Sequence, residues 1–122
     1  MATARPIPDV APVTSALEAW VSGSIRAALF AFGASSSLYI ATHPEQTVFR
    51  LDAAGNRTTV AGPEQGAVGT PACAFGRAPG DENALYVTTD GGLVAPYEGA
   101  VQEAKLLRLE VGEVGWPLIE QA

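Results

Sequence analysis

With 122 residues, 48% of them hydrophobic and 16% charged, the chain has the size and apolar content of one packed domain, which argues against wholesale disorder. Seven basic residues stand against 13 acidic ones, for a formal charge of -6, and Arg5, Arg26, Arg50, Arg57, Arg77, Lys105 and Arg108 are scattered singly. That balance excludes nucleic acid and an anionic membrane surface as expected partners, and Cys73, the only cysteine, excludes an intrachain disulfide and a thiolate zinc cluster.

Residues 1–13 read as a flexible N-terminal segment. Met1 to Pro12 carries one basic residue and three prolines before any apolar stretch, unlike the basic and apolar regions of a secretory signal. The longest apolar stretch, Ala27 to Phe32, is too short to cross a bilayer. The expected location is cytoplasmic. Residues 14–23 come next. Leu17, Trp20 and Val21 lie on one helical face, yet Ser22-Gly23-Ser24 ends the segment quickly, and a short edge strand is the preferred reading.

From residue 24 onward the chain repeats itself. Ala28 to Gly33, Ser37 to Thr42, Thr47 to Asp52 and Arg57 to Gly62 form a first series of strand-like runs. Pro71 to Gly76, Ala84 to Thr89 and Lys105 to Glu110 form a second. Phe32-Gly33 answers Phe75-Gly76 at a shift of 43 residues and Leu38-Tyr39 answers Leu85-Tyr86 at 47, so four extra residues fall around Pro79-Gly80-Asp81-Glu82, where a turn absorbs them. A period of roughly 40 to 50 residues with several strands per repeat is that of a β-propeller blade. Leu38-Tyr39-Ile40 and Leu85-Tyr86-Val87 are continuous apolar runs suited to strands buried on both faces. Val48, Arg50 and Asp52 alternate with Phe49 and Leu51, the period of two expected of a strand with one face to water. Asp52-Ala53-Ala54-Gly55-Asn56 supplies hairpin residues, and Gly62-Pro63 and Gly69 with Pro71 mark the crossover between repeats.

The fold class expected is therefore all-β: antiparallel four-stranded repeats, about two blades of a propeller, at about 24–66 and 67–112, with a C-terminal tail at 113–122. Lettering blade strands A to D from the axis outward, the chain runs D, then A-B-C-D, then A-B-C. Its open sheet edges are expected to promote association into a homo-oligomer.

Ser37-Leu38-Tyr39-Ile40-Ala41-Thr42, Val48-Phe49-Arg50-Leu51-Asp52-Ala53-Ala54-Gly55 and Ala84-Leu85-Tyr86-Val87-Thr88-Thr89-Asp90-Gly91-Gly92-Leu93 resemble the last third of six-bladed propellers of the gluconolactonase and senescence-marker-protein-like superfamily. Thr88 to Leu93, followed by Lys105-Leu106-Leu107-Arg108-Leu109, resembles in particular its branch in small-molecule biosynthesis, which includes hetero-Diels-Alderase-type enzymes. The resemblance covers approximately residues 14 to 112, and it implies a small-molecule ligand. Members with lactonase activity hold a divalent cation near the axis on acidic and Asn ligands. Here the corresponding stretch, Ser22 to Arg26, has no carboxylate, while Asp81, Glu82 and Asn83 cluster in the inserted turn at the other end of the blade. No cofactor and no metal site is expected.

Pockets in propellers open at the mouth bordered by the B to C and D to A connections. His43, the one side chain that titrates near neutrality unperturbed, follows a B strand there and is the candidate general acid or base; its plain alternative is a solvated loop histidine beside Pro44. Asp90 occupies the equivalent place in the second repeat, and its alternative is a turn in which Asp90 bonds its own backbone. Glu45, Gln46 and Tyr97 are candidate substrate contacts, against loop solvation for the first two and packing over the mouth for the third. Cys73 reads as a small core residue, and Tyr39 and Tyr86 as repeat-equivalent packing.

Three functions follow as expectations. The first is a small-molecule pocket, enzyme-like by resemblance to the biosynthetic branch, working around His43 and Asp90 without a tightly bound metal. The second is a catalytically silent blade pair that binds a protein partner, or itself, through open edges. The third, a metal-dependent lactonase, is weakened by the missing carboxylates.

Overall fold

The structure, a computed structural model, describes residues 27–42 and 45–117. Among them, seven strands form two antiparallel sheets. Strands β1 (Ala27–Phe32), β2 (Leu38–Thr42), β3 (Thr47–Leu51) and β4 (Arg57–Ala61) make the first, in chain order, and β5 (Ala72–Phe75), β6 (Ala84–Thr88) and β7 (Leu106–Glu110) make the second, also in chain order. The chain is all-β, about two blades' worth of strands, and compatible with propeller blades. The only described helix is one 3-10 turn, Pro63–Gln65, so no described helix is long and apolar enough to cross a membrane.

Each strand falls where its residues demand it. β2 is buried along its whole length, as its continuous apolar run requires, and it lies between β1 and β3. The β3 to β4 hairpin is fixed by Asp52, whose Oδ1 accepts the N–H groups of Ala54 and Asn56 at 2.9 and 2.8 Å, while Gly55 takes the left-handed conformation that the turn needs (φ 89°). The four-residue insertion lies between β5 and β6, closed by Gly76 N–H to Ala84 C=O at 2.8 Å.

Registers make the repeat three-dimensional. Leu38 pairs with Leu51 and Ile40 with Phe49 in the first sheet; Leu85 pairs with Leu109 and Val87 with Leu107 in the second. β6 therefore stands in its sheet as β2 stands in the first, and β7 stands as β3. Cross-strand partners share a face, so each sheet has two repeat-related faces. The second sheet presents Cys73, Phe75, Leu85 and Val87 to the first, where Tyr39, Ala41, Val48 and Ala61 receive them in one buried cluster. Tyr39 and Phe75 meet edge to face, ring centres 5.3 Å apart. Leu38, Ile40, Phe49 and Leu51 form a second buried cluster on the other face of the first sheet.

The face of the second sheet turned away from the first is mixed. Ala74, Thr88, Leu106, Arg108 and Glu110 are exposed there and Tyr86 is half-buried. The apolar surface expected at an open sheet end is thus present at Leu106, which is 66% exposed, and is interrupted by charge beside it.

The segment after β7, read from sequence as part of a tail, runs back to the first sheet as far as it is described. Gly115 bridges Gly33, Ala34 N–H donates to Val114 C=O at 2.8 Å, and Trp116 N–H donates to Phe32 C=O at 2.8 Å. The edge strand expected at 14–23 lies outside the described residues.

Candidate functional site

Three connections meet at one end of the two sheets: the β2 to β3 turn, the β4 to β5 crossover and the long loop from β6 to β7. Gln46 closes the turn in a left-handed conformation (φ 55°) that a non-glycine residue adopts only when its surroundings hold it there. Its buried carboxamide supplies that hold. Nε2 donates to Ala95 C=O of the long loop at 2.7 Å, and Oε1 accepts the N–H of Gly69 in the crossover at 2.5 Å. Both ends of the side chain are occupied by backbone.

Asp90 reaches the same crossover from the second sheet. Its N–H donates to Gly69 C=O at 2.8 Å, and its Oδ1 accepts the N–H groups of Gly92 and Leu93 at 2.8 and 3.2 Å. The carboxylate therefore caps its own turn. Gly69 is required between these two residues: it has φ 66°, and a Cβ there would overlap the Asp90 carboxylate. Thr70 continues the clasp, its hydroxyl donating to Thr42 C=O at 2.7 Å. Gln46 and Asp90 are thus brought together through Gly69, as polar pins between loops. Sequence reasoning missed Gly69 and Thr70 as the groups they pin; the glycine before Pro71 was the one available signal.

The other candidates lie apart from this clasp. Glu45 is exposed and pairs with Arg57 at 3.4 Å, whose guanidinium sits 3.9 Å over the Phe49 ring. Tyr97 is half-buried in its own small turn, bridged to Ala100, and its phenol is pushed up by the neighbouring Glu98 carboxylate. His43 lies outside the described residues. Cys73 is buried, its Sγ 3.6 Å from Tyr39 C=O, and burial pushes the thiol up to about 12, a value at which no useful thiolate exists near neutrality.

The densest polar cluster stands at the opposite end, where sequence reasoning placed only the acidic turn of Asp81, Glu82 and Asn83. Glu113 inserts its carboxylate into the first sheet. Oε1 accepts from the Tyr39 hydroxyl at 2.7 Å and from Arg50 Nε at 3.2 Å, and Oε2 accepts from the Ser35 hydroxyl at 2.5 Å and the Ser35 N–H at 3.0 Å. Burial opposes ionisation of Glu113, but the hydrogen bonds from Ser35 and Tyr39 and the Arg50 guanidinium outweigh it and hold the carboxyl at about 2. Burial and this carboxylate together raise the Tyr39 phenol well above its ordinary value. A carboxylate so firmly ionised, with four donors on it, is a fastener and a poor base. The repeat places an analogous trio in the second sheet: the Tyr86 hydroxyl and Arg108 both bond the Asp81 carboxylate, at 2.8 and 2.9 Å. Arg108 also pairs with Glu110. Among the described residues no group of three or more His, Cys, Asp or Glu side chains is arranged to hold a metal.

No protein-family model matches the chain, and no curated protein matches it in sequence.

Proposed function

We propose that this chain is a protein-interaction module: a pair of propeller-type blades, related to the gluconolactonase-like propellers it resembles, whose second sheet takes its fourth strand from another polypeptide. One observation carries this reading. Both sheets follow the same strand order and register through their third strand; β4 then covers β3, whereas among the described residues nothing pairs with the outer side of β7.

The outer edge of β7 can be assigned residue by residue. Lys105 C=O accepts from Thr89 and Val111 N–H donates to Asn83, so odd-numbered residues from 105 to 111 point their backbone groups toward β6. Leu106, Arg108 and Glu110 consequently direct N–H and C=O outward, the template for adding a strand. A small-molecule site at the mouth is the second reading, supported by the convergence of Gln46 and Asp90 on Gly69. It ranks lower because those two side chains already hold backbone groups.

The test uses the chain's own fourth strand as probe. A fluorescent peptide of residues 55–63 is expected to bind saturably, and Leu106→Pro, which removes an outward N–H and spares the ladder to β6, is expected to weaken binding at least about tenfold. Equal binding to both proteins, or none at millimolar peptide, overturns the reading.

A further inference from the structure

We infer that Tyr86 and Arg108 form a seat for a carboxylate of a second polypeptide, and that Asp81 fills this seat in the isolated chain as a displaceable stand-in. The inference goes beyond the strand-accepting reading, since the seat consists of side chains on the open face of the second sheet and uses no backbone group of the β7 edge.

The chain builds the same seat twice. In each sheet a tyrosine of the second strand pairs with an arginine of the third, Tyr39 with Arg50 and Tyr86 with Arg108, so phenol and guanidinium share a face. The Tyr39 hydroxyl and Arg50 Nε both donate to Oε1 of Glu113, at 2.7 and 3.2 Å. The Tyr86 hydroxyl and Arg108 Nε both donate to Oδ1 of Asp81, at 2.9 and 3.0 Å. A glycine makes room for the carboxylate each time: a Cβ on Gly33 would lie 2.6 Å from Glu113 Oε2, and one on Gly76 would lie 2.6 Å from Asp81 Oδ2. These glycines hold equivalent turns, Gly33 N–H donating to Ser37 C=O at 2.9 Å and Gly76 N–H to Ala84 C=O at 2.8 Å.

The source of the carboxylate differs. Glu113 comes from a separate segment, 74 positions from Tyr39, and its arrival lays the backbone of Val114 and Trp116 against Ala34 and Phe32. The first seat therefore receives one segment onto another. Asp81 belongs to the insertion between β5 and β6, 5 positions from Tyr86, and ties a turn to its own sheet. It is also held less completely. Glu113 Oε2 accepts the hydroxyl and N–H of Ser35, whereas Ala78, at the place of Ser35 in the repeat, has no hydroxyl to offer. The side chains of Asp81 and Arg108 are 25% and 42% exposed, against 15% and 32% for Glu113 and Arg50. Arg108 Nη1 turns to Glu110 at the surface.

An incoming glutamate exchanges one charge-assisted pair for another and brings its backbone onto the turn as well. The partner chemistry that fits is that of Gly112-Glu113-Val114-Gly115, one carboxylate among small residues; the chain's own charge of -6 repels a strongly acidic segment.

The probe is a fluorescent, end-capped peptide of residues 111–117, whose one charged side chain is the glutamate. Asp81→Asn keeps the shape of the resident and removes its charge, and is expected to bind the peptide at least about tenfold more tightly than the wild-type chain. A peptide carrying Glu113→Gln is expected to lose that gain, and so is the protein carrying both Asp81→Asn and Arg108→Met. In the wild-type protein, which needs no variant to fold, the peptide at millimolar concentration is expected to shift the amide resonances of Asp81, Tyr86 and Arg108 in nuclear magnetic resonance spectra. Equal affinity of wild type and Asp81→Asn overturns the inference, as does the absence of those shifts. A gain that survives Arg108→Met also overturns it, because the peptide then binds elsewhere, as it would by displacing the chain's own Glu113.

Discussion

Glu113 shows how much one residue decides in this chain. Its carboxylate ties the segment leaving the second sheet to Ser35, Tyr39 and Arg50 of the first, across as many as 78 positions of sequence. Glu113→Gln keeps the shape and removes the charge on which Arg50 and the hydroxyls converge; a loss of about 2 kcal/mol in unfolding free energy is expected from urea denaturation. The pH dependence has a definite sign. The folded carboxyl titrates at about 2, below its unfolded value of roughly 4.3, so the unfolded chain binds the proton first as pH falls. The stabilisation is complete above the unfolded value and is lost between about 4 and about 2. Wild-type stability is therefore expected to fall across that window more steeply than that of Glu113→Gln, and parallel curves from acid titration of the two proteins contradict the assignment.

At the scale of elements, burial separates strands that look alike in sequence. β2 is buried throughout, while β6, with the same Leu-Tyr-apolar run, turns Thr88 outward and half-exposes Tyr86. The reason is position: β2 lies in a sheet covered on both faces, and β6 lies in a sheet whose second face is open. Leu85→Ala removes a fully buried side chain from the cluster between the sheets and is expected to cost about 3 kcal/mol, whereas Thr88→Ala on the open face is expected to stay within about 0.5 kcal/mol. Thermal midpoints of the two variants decide this; comparable losses at both positions mean that the open face is covered. The strands themselves, the Asp52 hairpin and the insertion before β6 were all legible in the sequence, because alternation, turn chemistry and the repeat are local signals. The docking of 113–117 was not. Val111-Gly112-Glu113-Val114-Gly115 has neither strand period nor turn signature, and the backbone partners of Val114 and Gly115 lie in the turn after β1.

For the molecule as a whole, the two sheets share one core. Tyr39, Ala41, Val48 and Ala61 from one side and Cys73, Phe75, Leu85 and Val87 from the other form a single buried cluster, and Glu113 and Gly115 add a second tie at its end. Neither sheet buries its inner face without the other, so the described fold is expected to unfold as one unit. Far-ultraviolet dichroism and near-ultraviolet dichroism from tyrosine and tryptophan should give superimposable urea transitions. A first transition that removes the near-ultraviolet signal and spares the far-ultraviolet one means that the blades come apart before they melt.

The sequence by itself determined the all-β class, the two repeats, the strand limits to within a residue or two and the turn chemistry of Asp52, since each depends on residues within a few positions of one another. Only the tertiary structure decided what the polar residues do. Gln46 and Asp90, candidates for a ligand when read along the chain, spend their hydrogen bonds on Gly69 and the loop backbone around it. Glu113, which carried no signal along the chain, becomes the most heavily bonded carboxylate described. The physical reason is one of range: periodicity and turn propensity are written between neighbours, whereas a carboxylate's role is set by donors that only folding brings within 3 Å or so.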